Sequence, residues 1–245
     1  MDEDIILSKD QYVELIEMLF ASTQLFTVSN YAESNRSDVI NLASLIRATL
    51  EASVSAFELV KNDRFFAAST VLRSAMEHVL LLNLLYKSPM GETMSFYKFK
   101  RAMHEFLVKA SKGSSFTNLD ILKSKVDFKE VNEFRFTKDA TEVLSKFEKN
   151  ESLNLFYFVF SQTVHPLGVF SLYSELDSSG AEVKIRTTSN LVDSLTFLPH
   201  IFRFSCNALL IDAELRGDLQ SIKLLEKLAL IDGFNPRLRL QSNLK

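Results

Sequence analysis

The sequence predicts an all-α protein, a helical bundle forming a single domain over residues 1–233, with a tail at 234–245 expected to be mobile. Three observations carry this expectation. Apolar residues recur at helical spacing through most of the chain. Only six Gly and four Pro stand among 245 residues, too few for the many turns of a β-fold. The 21 Phe, with no Trp, supply bulky apolar filling whose simplest use is a helical core and not a cofactor box.

The elements follow in order. Ser8 before DQYVELIEMLF reads as a cap, with Tyr12, Leu15, Ile16 and Leu19 on one face of a helix expected to reach about Tyr31. After the polar AESNRSD, Ser37 can cap a second helix, with Ile40, Ala43, Leu45, Ile46 and Leu50 on its apolar side, closing near Lys61–Asp63. The stretch DRFFAASTVLRSAMEHVLLLNLLYKSP is apolar almost all round from Phe65 to Tyr86, the pattern of a helix enclosed by others, and Pro89 and Gly91 end it. An amphipathic helix is predicted over 92–112, then short helical pieces within 114–150 that could form a lid or flank. Another helix covers Glu151–His165. Residues 169–187 alternate on both sides of Asp177-Ser-Ser-Gly180 and predict a small hairpin or irregular insertion. Two C-terminal helices complete the bundle. One, capped by Thr188 or Ser189, runs to Arg216 past Pro199, which should bend it and free the Leu195 carbonyl; the other spans Asp218 to Leu230 and stops at Gly233.

Charge and cysteine content narrow the chemistry. A net charge of −3 gives no global footprint for nucleic acid or an anionic membrane. Locally, Lys98–Lys149 holds twelve Lys/Arg against eight Asp/Glu, a basic stretch that could touch a phosphate backbone or simply solvate a helix face. The lone Cys206 excludes an intramolecular disulfide, and no Cys/His spacing suits zinc. There is no P-loop, dinucleotide fingerprint, His-Glu-x-x-His or Gly-x-Ser-x-Gly elbow, so neither a metal nor a cofactor is expected. The opening MDEDIILSKD lacks a positive n-region and an apolar run able to cross a bilayer; no membrane association and cytoplasmic residence are the expectations.

Candidate function lies where polar side chains interrupt apolar helices. In ESLNLFYFVFSQTVHPLG, Asn154, Tyr157, Ser161 and His165 fall on one helix face among Leu155, Phe156, Phe158, Val159, Phe160 and Val164. A buried polar stripe must find partners or lose about 1–3 kcal/mol for each unsatisfied group. In the Phe65–Tyr86 segment, Ser69 or Thr70, Arg73 and Glu77 form a matching stripe, and Arg73 can reach Glu77 one turn away. The two stripes are expected to meet. A third set, Thr196, His200, Arg203 and Asn207, shares a face near Pro199. Pro166 places His165 at a helix C-terminus, where the macrodipole favours the protonated ring; there it can serve as acid, base or phosphate contact, or as a structural cap of the last carbonyls.

The pairing of VLRSAMEHVLLLNLLY with FSQTVHPLG resembles a group of uncharacterised bacterial all-helical proteins marked by an Arg-x-x-x-Glu helix and a Ser-x-x-x-His-Pro helix end, over roughly Ser37 to Asp212. That group is distantly similar to the HEPN superfamily of toxin–antitoxin, abortive-infection and phage-defence bundles, many of them dimeric metal-independent ribonucleases. The resemblance implies a HEPN-like bundle with extra C-terminal helices, RNA as substrate, a defence-system partner protein and a homo-oligomer. Together with the two polar stripes it points to a catalytic set of His165 and Arg73, helped by Glu77, Ser161 and Tyr157. Phe160 stands where the superfamily's arginine precedes the histidine, so Arg73 is expected to supply the cation from its neighbouring helix. His78 follows Arg73 by five positions, about 140° round a regular helix. A Ser161/His165 nucleophile–base pair lacks identifiable oxyanion donors. The competing reading is a non-catalytic helical module that binds a partner protein or small ligand in the same place.

Overall fold

The first helix opens on a reciprocal cap. The Gln11 N–H donates to Ser8 Oγ (3.3 Å) and the Ser8 N–H to Gln11 Oε1 (2.8 Å), so two orphan donors are satisfied by one exchange. The structure is a computed structural model, described over residues 7–23, 39–87, 156–158, 160–161, 174–176, 183–185 and 194–238. Among these residues the elements are α1 (Lys9–Thr23), α2 (Val39–Lys61), α3 (Phe65–Lys87), β1 (Ser174–Leu176), β2 (Val183–Ile185), α4 (Ser194–Arg216) and α5 (Leu219–Ile231). Residues 156–158 and 160–161 are helical as well. The helix expected over 92–112, the pieces within 114–150, residues 24–38 with the Ser37 cap, Thr188 and Ser189 lie outside the described residues.

The fold is predominantly helical. The exception falls inside the stretch expected to form a hairpin, where β1 and β2 pair antiparallel with Ser174 opposite Ile185 and Leu176 opposite Val183.

Three helices end on the same device. After α2, the Arg64 N–H reaches the Leu59 carbonyl (2.8 Å) and the Asp63 N–H the Val60 carbonyl (3.1 Å), with Asp63 left-handed at φ 55°. The same double bond closes α4 at Gly217 and α5 at Gly233, whose φ values of 69° and 67° suit glycine. The first of these turns folds α3 back along α2; the second brings α5 back onto α4.

α4 is the hub, packed against α1, α2, α3 and α5. Phe197, Leu198, Ile201, Phe202, Cys206, Leu210 and Ala213 are buried along it, against Ile16 of α1, Ile46 and Phe57 of α2 and Leu72, Met76 and Leu80 of α3. Pro199 lies within this continuous helix. Both α3 and α4 are long and apolar enough to cross a membrane by length and composition, and both belong to the packed core.

Three polar ties cross this core. The Tyr12 hydroxyl donates to Asp232 Oδ1, while Arg203 Nε donates to Asp232 Oδ2 at 2.6 Å. Asn83 Nδ2 donates to Asn207 Oδ1 at 2.7 Å and Asn207 Nδ2 returns to Asn83 Oδ1 at 3.4 Å, joining α3 to α4. The segment after Gly233, expected as a mobile tail, is hydrogen-bonded as far as Leu238. Asn207 donates to the Pro236 carbonyl, Lys87 to the Leu238 carbonyl, and Arg237 to Glu214 and Glu226. Lack of apolar periodicity did not reveal this anchoring, because carbonyls and charges supply it; residues 239–245 lie outside the described ones.

Asp232→Ala leaves Arg203 without its carboxylate and is expected to cost about 3 kcal/mol in denaturant unfolding. A loss under about 1 kcal/mol would show the tie to be incidental. Asp63→Gly relieves the left-handed backbone and is expected to raise stability by about 0.5 kcal/mol in the same assay.

Candidate functional site

The helical residues 156–158 and 160–161 sort into two faces. Phe156 and Phe160, one turn apart, are buried on α4. The Phe156 ring lies 4.0 Å from Phe160, 3.9 Å from His200 and 5.5 Å from Phe204, and Phe160 lies 5.1 Å from Phe197, which stacks on Phe65 of α3 at 5.6 Å. Tyr157 belongs to the other face. The Arg73 guanidinium sits over its ring, 5.4 Å from the centroid, and Arg73 Nε donates to Glu77 Oε1 at 3.1 Å.

Three of the expected site residues, Arg73, Glu77 and Tyr157, are therefore brought together. Arg73 is half-buried, paired one turn down its own helix and capped by an aromatic face, a geometry that holds the fork in one orientation. Ser161 follows Tyr157 by one turn; its Oγ is buried and has no hydrogen-bond partner among the described residues. Such an oxygen is available to a bound group. His165 lies outside the described residues, as does Asn154. Ser69 and Thr70 do not join the site, because each hydroxyl turns back to the Phe66 carbonyl, at 2.7 and 3.3 Å.

Two other histidines can be placed. His78 faces the backbone of Ala48 on α2, away from the Tyr157 contact of Arg73, and its Nδ1 has no partner among the described residues. Burial holds its pKa below the usual value against the opposing pull of Glu77. His200 keeps some exposed surface, yet its ring is enclosed by Phe156 and Phe204, 3.9 and 5.9 Å away. Desolvation, with a smaller contribution from the Arg203 charge, pulls its pKa down to about 3. His200 is thus a neutral member of the aromatic cluster at physiological pH.

Two further members of the third polar stripe tie helices together. Arg203 serves Asp232 and Asn207 serves Asn83. Cys206 is no nucleophile, since burial and then the Asp232 charge push its thiol up to about 12. Among the described residues no three His, Cys, Asp or Glu side chains are grouped so as to hold a metal.

Phe160 explains itself in this setting. It is fully buried against Phe197, where an arginine would meet no counter-ion among the described residues. The role of Phe156 in fastening Tyr157 to the bundle was readable in its one-turn spacing from Phe160. The Tyr12–Asp232 tie left no such signal across 220 residues. Comparison with protein-family models, curated proteins and solved structures finds no match to this chain.

A double-mutant cycle on Arg73→Met and Tyr157→Leu is expected to give a coupling of about 0.5–1 kcal/mol in unfolding free energy; additivity would mean that the ring and the guanidinium do not interact. The depressed pKa of His200 has a signed consequence. Between pH 6.5 and about 3 the unfolded chain binds a proton there that the folded chain does not, so this group's stabilisation is full above pH 6.5 and is lost as pH falls towards 3. His200→Leu should therefore melt less acid-sensitively than the parent across that window, read as the difference between their Tm–pH curves.

Proposed function

We propose that this chain is a HEPN-like helical protein of the defence or toxin type that cleaves RNA without a metal, through Arg73 and His165. The observation that carries the reading is the Arg73 guanidinium seated on Tyr157, four residues before Ser161 and eight before His165 in the sequence. Metal-free cleavage needs a base for the ribose 2′-hydroxyl and a cation for the phosphate as charge builds on it. His165 takes the first role and Arg73 the second, with two-pronged donation suited to phosphate oxygens. Glu77 and Tyr157 hold the guanidinium plane, which removes the reorganisation a free arginine would need. The Ser161 hydroxyl offers a further hydrogen bond to the substrate. The basic stretch Lys98–Lys149 supplies positive charge for a polyanion in a chain that is acidic in total.

A second reading, a non-catalytic module that binds a partner protein or small ligand in a defence or regulatory system, draws on a specific observation. Arg73 already has its charge answered by Glu77 at 3.1 Å, and the position before the histidine where the superfamily carries arginine is a core phenylalanine.

Incubation of the purified protein with tRNA and total RNA separates them. The ribonuclease reading expects cleavage by the parent, reduced about 10²-fold or more in His165→Ala and Arg73→Ala, with Tm shifts too small to explain the loss. The binding reading expects no cleavage by any of the three.

A further inference from the structure

Phenylalanine in this chain is core material, and among the described residues two rings break that use: Phe158 is 63% exposed and Phe66 38%. Both belong to the elements that meet at the Arg73–Tyr157 contact. On α3, Phe66, Thr70, Arg73 and Glu77 follow at steps of four, three and four, so Phe66 stands on the face that carries the guanidinium, about 10 Å nearer the start of the helix. On the facing segment, Phe158 follows Tyr157 directly and comes one turn before Ser161, on the side turned away from the buried Phe156 and Phe160.

A single exposed apolar side chain is ordinary on a protein surface. Here two planar rings, one from each element, accompany one arginine whose orientation is already held by Glu77 and Tyr157. That is the composition of a site for a nucleotide, since the planar fork suits phosphate oxygens and an aromatic face suits a base. Every base has such a face, so stacking is tolerant of sequence; it requires only that the base be unpaired and turned out of its own stack. The bases of a duplex are already stacked on one another and offer these phenylalanines nothing.

We infer that Phe158 and Phe66 are stacking platforms for unpaired bases of an RNA strand whose backbone is held at Arg73, and so are the residues that select single strands over duplex. The inference rests on the reading of Arg73 as the phosphate contact and adds to it the residues that recognise the bases. A protein partner is the less fitting occupant, because it needs only apolar bulk at these positions, which leucine would supply as well as a ring.

Fluorescence anisotropy on the full-length protein tests this with three fluorescein-labelled probes: a single-stranded RNA, the same strand annealed to its complement, and the same strand made abasic. All carry 2′-O-methyl riboses, so that attack by a 2′-hydroxyl cannot consume them. The parent is expected to bind the plain single strand about tenfold or more tightly than either other probe. Phe158→Ala and Phe66→Ala, with circular dichroism confirming the fold, should each weaken single-strand binding about tenfold and leave duplex binding unchanged. Phe158→Trp should keep the parent's affinity, whereas Phe158→Leu, which retains apolar bulk without the ring, should bind as poorly as the alanine variant. A duplex or abasic strand bound as tightly as the plain one, or a leucine variant indistinguishable from the parent, would overturn the inference. Binding that depends on Phe158 without cleavage in the tRNA assay upholds it and removes the ribonuclease reading alone. Cleavage with binding indifferent to Phe158 does the reverse, and a parent that binds none of the probes removes both.

Discussion

The buried carboxylate of Asp232 is the interaction on which the arrangement of α1, α4 and α5 depends. An ionised carboxylate withdrawn from water costs several kcal/mol unless charge and hydrogen bonds replace its hydration. Here Arg203 supplies the charge and one bond, and the Tyr12 hydroxyl occupies the second oxygen. Burial, reinforced by the hydrogen bond and the charge of Asp232, raises the Tyr12 pKa, so the phenol stays a donor. Phe234 lies under the Arg203 guanidinium at 5.4 Å, which places the turn after α5 as well as its end. One carboxylate thus fixes the start of α1 and the end of α5 to the same stretch of α4. The C-terminal segment continues the closure through the Pro236 carbonyl on Asn207 and Arg237 on two glutamates.

With α4 held from that side, its N-terminal half is free to serve the site. Phe197, His200 and Phe204 receive Phe156 and Phe160, and this aromatic contact carries Tyr157 to Arg73. The position of Arg73 is set independently, because α3 is joined to α4 by the reciprocal amide pair of Asn83 and Asn207 and to α2 by the tight turn at Asp63. The guanidinium and the phenol ring therefore meet as the product of two separate dockings onto one helix. His200 takes part as a ring whose neutrality burial enforces, so a residue that looks suited to acid–base work in one dimension is packing material in three.

The contrast between what could and could not be read in the sequence follows from the range of each interaction. Helix spans over 39–61, 65–87 and 219–231 were legible because apolar spacing and the stop signals at Asp63, Gly217 and Gly233 act within a turn or two. The Arg73–Glu77 pair was legible for the same reason. That the Arg73 helix would meet the Tyr157 helix followed from cost, since polar groups on two apolar helices have few alternatives to each other. The partners of Arg203 and Asn207 were not legible. Both lie on the face with His200, and nothing in local spacing separates a side chain that serves Asp232 from one that serves Asn83. Lack of packing periodicity misled over residues 234–238, because carbonyl acceptors and one arginine hold that segment.

Phe160 shows how the fold constrains the proposed chemistry. A helix that docks through residues one turn apart commits both to the core, and Phe156 with Phe160 is that commitment here. Position 160 is then ill suited to a cation, since desolvating an unpaired arginine between Phe197 and Phe156 would cost several kcal/mol. The cation has to come from outside the segment, and α3 presents it at Arg73, against the ring of Tyr157. The alignment of Arg73 with that ring then depends on how α3 and the segment are each seated on α4. Loosening the aromatic cluster around His200 would disturb it without touching Arg73 at all.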